Sequence, residues 1–188
     1  MQALWISTVA VAIAEIGDKT QLLSLVLAAR YRRPWPIIGA IALATLLNHT
    51  AAAWIGAWAA DWFSPHALRW AVAGSFLAVA LWALKPDSVD EAEARRGAGH
   101  GAFLATLVAF FLAEIGDKTQ IATVLLAAQY QPLWQVIAGT TLGMLLANAP
   151  VVALGARFAH RIPLQLARYA AAALFALLAL LILLQPAR

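Results

Sequence analysis

The chain has no cysteine and little charge. Without thiols there is no disulfide, no thiolate metal site and no cysteine redox couple. Any metal it handles must meet oxygen or imidazole, donors suited to hard and borderline cations. Charged residues make up 12% of the 188, against about 25% in ordinary soluble domains. With 63% hydrophobic residues and a mean hydropathy of +0.79, the composition is that of an integral membrane protein, whose principal partner is the lipid bilayer. The net charge of +4 and pI near 10.0 do not indicate a nucleic-acid partner, because most Lys and Arg stand in short stretches beside apolar segments. The N-terminal Met1-Gln2-Ala3-Leu4-Trp5 lacks the basic region of a cleaved signal peptide, so the first apolar stretch reads as a retained span.

A bilayer core of about 30 Å takes roughly 20 apolar residues in a helix. Six stretches meet or approach that length: Leu4–Ala29, Ile37–Ala60, Ala67–Leu84, Ala102–Ala128, Leu133–Ala156 and Leu164–Leu184. Pro34, Pro36, Pro65, Pro132 and Pro163 fall in the breaks between them, where helix punctuation is expected. The one sizeable polar segment, Lys85–Gly101, divides the chain into residues 1–85, a loop at 86–101, and residues 102–188.

The two halves repeat one another. Ala14-Glu15-Ile16-Gly17-Asp18-Lys19-Thr20-Gln21 recurs without change at Ala113–Gln120, 99 residues later. Leu27-Ala28-Ala29 and Tyr31, Trp35, Arg69 and Phe76 recur at the same spacing, and Gly39 and Asn48 recur as Gly139 and Asn148. Three helices per half is an odd number, so the second half should enter the membrane inverted. The expected fold is therefore all-α: six transmembrane helices in two inverted three-helix repeats, an architecture that places transporter sites near the midplane.

Loop charge orients this scheme. Arg30, Arg32, Arg33, Lys85, Arg95, Arg96, Arg157, Arg161 and Arg168 fall on one side, and only Arg69 and Arg188 on the other. The positive-inside rule then makes the stretches 30–36, 85–101 and 157–163 cytoplasmic and leaves both termini outside. Trp5, Trp35, Trp62, Trp70 and Trp134 near helix ends suit an interfacial belt, while Trp54 and Trp82 read as packing residues.

The repeated motif puts Glu15, Asp18, Lys19, Glu114, Asp117 and Lys118 at mid-membrane depth. Each charge there costs roughly 2.5–3.5 kcal/mol, so such residues are usually functional. Interhelical ion pairs without a ligand are the plain alternative, but an identical eight-residue block in both halves weighs against it. On a continuous helix Glu15 and Asp18 would share a face, and Lys19 could pair with Glu15 one turn away. Gly17 and Gly116 are hinge candidates that could open the helix, which would make Asp18 the cap of a half-helix through Thr20 and Gln21. Four carboxylates and two lysines sum to −2. One divalent cation neutralises that charge, and so do two protons, which is the arithmetic of an antiporter. Glu15, Asp18, Glu114 and Asp117 are thus the candidate metal ligands. Lys19, Thr20, Gln21, Lys118, Thr119, Gln120, Asn48 and Asn148 are candidate supporting or pathway residues. Ser24 and Thr123, one turn on, suit lining and packing equally. His49 faces Ala149 in the other half's register and reads as a packing histidine. His66, His100 and His160 fall in loops or at helix ends.

Glu15-Ile16-Gly17-Asp18-Lys19-Thr20 and Glu114-Ile115-Gly116-Asp117-Lys118-Thr119, in a six-helix chain, resemble the signature of one exchanger family. These are the GDT-type cation/proton antiporters of bacteria, thylakoids and the Golgi, also called calcium/cation antiporter-2 proteins. The resemblance spans essentially the whole chain. It implies a secondary transporter, not an enzyme, with no resident cofactor, that exports Mn²⁺ or Ca²⁺ against H⁺ and binds the metal with the motif carboxylates. It further implies a compact bacterial inner-membrane member, similar to manganese exporters. Six helices can work alone or as a homodimer. A divalent-cation channel and an exporter of another small cationic solute are the rival readings. An intramembrane aspartyl protease fits poorly, since Glu-Ile-Gly-Asp departs from the Gly-x-Gly-Asp of such enzymes.

Because each half would contribute half of one site, Glu15→Gln and Glu114→Gln should each reduce metal flux to near background. Wild-type flux in either variant would contradict a shared site.

Overall fold

The computed structural model describes residues 1–86, 101–155 and 164–184, and these are almost entirely helical. Among the described residues there are eight helices: α1 (Gln2–Glu15), α2 (Lys19–Tyr31), α3 (Pro34–Ala60), α4 (Pro65–Ala83), α5 (Ala102–Glu114), α6 (Lys118–Gln129), α7 (Leu133–Leu154) and α8 (Leu164–Leu184). The order of two short helices, a long one and a further one thus recurs in each half.

Four helices are long and apolar enough to cross a membrane by length and composition: α3, α4, α7 and α8. The first and fourth expected spans are not continuous helices. Each is split at its motif, into α1 and α2 or into α5 and α6. Proline stands at three of the other starts, as expected, and a serine cap adds to one of them. Pro34 and Pro65 occupy the first turns of α3 and α4, the Ser64 hydroxyl accepts the Ala67 amide at 3.3 Å, and Pro132 caps α7. Residues 87–100 and 156–163 lie outside the described residues, and so do most of the 86–101 loop, the 157–163 loop, His100 and His160.

The halves interlock. The short helices of one half pack on the long helix of the other: α1 and α2 lie against α7, and α5 and α6 against α3. The remaining helices, α4 and α8, pack on each other. Their contact centres on the repeat-matched Phe76 and Phe175, both fully buried, with ring centroids 6.0 Å apart and an interplanar angle of 23°. The α1–α7 contact is the most extensive, and its glycines bring the backbones together. A Cβ on Gly143 would stand 2.6 Å from the Thr8 carbonyl oxygen, and one on Gly139 would stand 2.5 Å from that of Leu4. Small residues let membrane helices approach to backbone distance, which is how such bundles gain van der Waals attraction without a hydrophobic driving force.

The outer surface is apolar. Trp5, Trp35, Trp62, Trp70 and Trp134 are all exposed near helix ends, as a belt requires. Trp54 and Trp82 depart from their expected packing role, being 68% and 38% exposed. A surface that meets hydrocarbon can present a large aromatic side chain in mid-helix at no hydration cost.

Gly143→Ala should lower the thermal midpoint of the detergent-solubilised protein, by the equivalent of about 1–3 kcal/mol, the usual range for overpacking. Gly74→Ala, where a Cβ meets nothing within 4 Å, should leave it unchanged or slightly higher. Equal losses in the two would rule out the steric account of the α1–α7 contact.

Candidate metal centre

Each octapeptide folds as a helix end, a break and a helix start, and its side chains serve the break. Glu15 is the last residue of α1, and Glu114 is the last of α5. Gly17 and Gly116 then take φ of +80° and +76°, a region that costs an L side chain about 1–2 kcal/mol and glycine little. Asp18 and Asp117 begin the next helices as N-caps, each accepting the amide of the threonine two residues on at 3.4 Å. Gln21 Oε1 accepts the Gly17 amide at 2.9 Å, and Gln120 Oε1 accepts the Gly116 amide at 2.7 Å. Breaking a helix strands backbone amides, and the motif's own side chains take up two of them in each half. The threonines hold the glutamates. Thr20 Oγ1 donates to Glu15 Oε2, and Thr119 Oγ1 lies 3.3 Å from both Glu114 Oε2 and Asp117 Oδ2.

The break also rearranges the charges. An intrahelical Glu15–Lys19 pair needs a continuous turn, and the helix stops between the two residues. The lysines instead cross to the aspartates of the opposite half. Lys118 Nζ pairs with Asp18 Oδ1, both buried, and Lys19 Nζ lies 3.7 Å from Asp117 Oδ1, with Lys19 22% exposed. Glu15, Glu114 and Asp117, from both halves, each place a carboxylate oxygen within 4.8 Å of the others. Asp18, bound to Lys118, stands outside that triad. Two lysines matched to two aspartates leave the net −2 on the glutamates. Their Oε1 atoms are buried and accept no hydrogen bond.

The expected supporting residues divide unequally. Asn148 on α7 donates to Glu15 Oε2 at 3.4 Å and accepts from Ser24 Oγ at 2.7 Å, so Ser24 and Asn148 both join the cluster. Gln21 Nε2 reaches the Ala147 carbonyl at 3.0 Å, one residue away on α7. Asn48 instead donates to the Phe111 carbonyl of α5 at 3.0 Å, and Thr123 bonds back to the Thr119 carbonyl at 2.8 Å within α6. His49 is placed where sequence reasoning did not put it. It is fully buried on α3, with Nε2 3.9 Å from Glu114 Oε2. A signal was available: Thr45, Asn48 and His49 stand at i, i+3 and i+4 of a helix whose only other polar side chain is Thr50, and all three are buried.

The profile of a family described as divalent cation/proton antiporter GDT1 matches residues 3–91 and 102–188. The chain belongs to the GDT1 family. A Vibrio cholerae serotype O1 protein named "Putative manganese exporter" is 58% identical over 181 residues, covering 96% of this chain and 90% of that protein. A GDT1-like protein of Synechocystis sp. is 27% identical over 168 residues, covering 79% of this chain and 80% of the relative. No solved structure matches the chain. The GDT1 family is one of antiporters, and with four helices of membrane-spanning length this member is a multi-pass membrane transporter.

The crossed ion pairs of this GDT1 chain differ in burial, and their removal should differ with it. Lys118→Met strands Asp18 in the interior, and breaking a buried pair costs about 3–5 kcal/mol. Lys19→Met, at the more exposed pair, should cost clearly less. Asp18→Asn combined with Lys118→Met should recover part of the first loss. Thermal unfolding of these variants and of Asp18→Asn alone in detergent checks this, and a double-variant loss equal to the sum of its two single losses would show that the pair is not coupled.

Proposed function

We propose that this protein exports a divalent cation, Mn²⁺ or Ca²⁺, from the cytoplasm in exchange for protons by alternating access. The observation that carries this reading is the convergence of Glu15, Glu114 and Asp117, from the two halves, within 4.8 Å and out of contact with solvent. When ionised, the glutamates carry a −2 charge that either one divalent ion or two protons neutralises. Both loaded forms are electrically matched to a low-dielectric interior, whereas the empty, ionised form is strongly disfavoured there. An antiporter needs that inequality, because only a loaded site should change sides.

In this reading α1–α2 and α5–α6 are two broken spans, the six spans form inverted three-helix repeats, and the breaks sit at the midplane. Asp18 and Asp117 are the pair-wise alternatives of one another. Asp117 stands beside the two glutamates and more loosely by Lys19 here, while Asp18 is held by Lys118, and the opposite-facing state exchanges the two lysine contacts. Thr20, Thr119 and Asn148 steady the glutamates, and Gly17 and Gly116 are the hinges. We place the protein in a bacterial inner membrane with both termini outside, on the loop charge asymmetry.

The test is flux in proteoliposomes with an imposed pH gradient and an internal pH dye, offering Mn²⁺ and Ca²⁺ separately to wild type and Glu15→Gln. Metal entry that drives opposite proton movement, and is lost in the variant, is the expected result. Metal flux indifferent to the gradient would make the protein a channel. No flux of either metal would move the reading to another cationic solute.

A further inference from the structure

His49 has no structural occupation. Its side chain is fully buried, yet neither Nδ1 nor Nε2 has a hydrogen-bond partner. Buried imidazoles normally satisfy both nitrogens, since a polar group left unpaired in the interior costs about 1–3 kcal/mol. Nε2 points at Glu114 Oε2 from 3.9 Å. That exceeds the roughly 2.7–3.2 Å of a hydrogen bond. It suits another arrangement: metal–ligand bonds of about 2.1–2.6 Å set two ligands of one ion roughly 3–5 Å apart, depending on the angle between them. The three carboxylate oxygens, within 4.8 Å of one another, obey the same spacing; His49 meets it toward Glu114 but lies farther from the rest of the triad, so an ion bound by all four would sit on the Glu114 side.

We propose that His49 Nε2 is a ligand of the transported ion, on the Glu114 side of the site, and that this nitrogen selects a first-row divalent metal over Ca²⁺. The proposal rests on the antiporter reading above and deepens it. With carboxylates, hydroxyls and amides alone, Mn²⁺ and Ca²⁺ are both acceptable occupants, separated mainly by size and coordination number. One imidazole changes this, because Ca²⁺ takes oxygen ligands almost exclusively while first-row metals accept nitrogen. Only one half can supply it. Ala149 stands at the position in α7 that matches His49 in α3, so the ligand set keeps a single nitrogen within a duplicated oxygen frame. Asn148, the polar neighbour in that helix, spends its side chain on Glu15 and Ser24. The site thereby has an oxygen-rich Glu15 side and a mixed Glu114 side.

The full chain in detergent, loaded with Mn²⁺ alone, tests the assignment by pulsed electron spin-echo spectroscopy. Wild type should show ¹⁴N modulation, altered when the protein is grown on ¹⁵N-histidine, lost in His49→Gln and kept in His66→Gln. In proteoliposomes the ratio of Mn²⁺ to Ca²⁺ flux should fall about tenfold or more in His49→Gln, the scale on which disturbing a metal site acts. Bound Mn²⁺ without nitrogen modulation in wild type would overturn the assignment, and this result does not depend on any variant folding. An unchanged flux ratio in His49→Gln would overturn the selectivity claim. Failure of the antiporter reading looks different: wild type would bind no Mn²⁺, and Glu114→Gln would change nothing.

Discussion

Everything in the centre of this molecule depends on a backbone that stops being helical twice, between Glu15 and Lys19 and between Glu114 and Lys118. A broken helix strands amides and carbonyls, and each must be matched within the protein. The octapeptide is a compact answer to that demand. Glycine permits the turn, aspartate caps the new helix, glutamine returns to the glycine amide, and threonine steadies the glutamate left at the end of the old one. The same bonds recur in the second half. Substituting any one of these residues alters both a backbone contact and the position of a carboxylate, so fold and site are a single arrangement.

The crossed lysine–aspartate pairs follow from that break. Once Glu15 and Lys19 belong to different helices, the lysine is free to project across the interface, where the opposite half brings an aspartate. The attraction is long-lived because Lys118 and Asp18 are both buried and water screens them little. The pairs therefore join the halves and also isolate the glutamates as bearers of the uncompensated charge. The closely packed α1–α7 contact, with Gly139 and Gly143 against the α1 backbone, holds Glu15 beside Asn148.

Duplication does not make the site symmetric. The halves differ in one tight and one loose ion pair, in the partners of Asn48 and Asn148, and in a histidine facing an alanine across the register. Two states related by an inverted repeat look alike only if every residue is matched. Unmatched residues are where a transporter can assign a direction or a preference, and the Glu114 side of this centre carries one.

By itself the sequence determined the apolar helical class, the two halves, the helix starts near proline, and the residues expensive enough to be candidates for function. All of these depend on composition or on near neighbours along the chain. The breaks were legible only as a possibility at Gly17 and Gly116, because a glycine before an aspartate permits a break without requiring one. Which lysine meets which aspartate was not legible. Spacing suggested Glu15 with Lys19, and the structure joins Lys19 to Asp117 and Lys118 to Asp18 across a separation of about a hundred residues. Nor was the place of His49 legible, because the repeat argued for symmetry and the histidine has none. The tertiary structure alone decided these, for a physical reason: Coulomb attraction and metal coordination act over a few ångströms of space, and helix packing, not sequence distance, sets which side chains come that close.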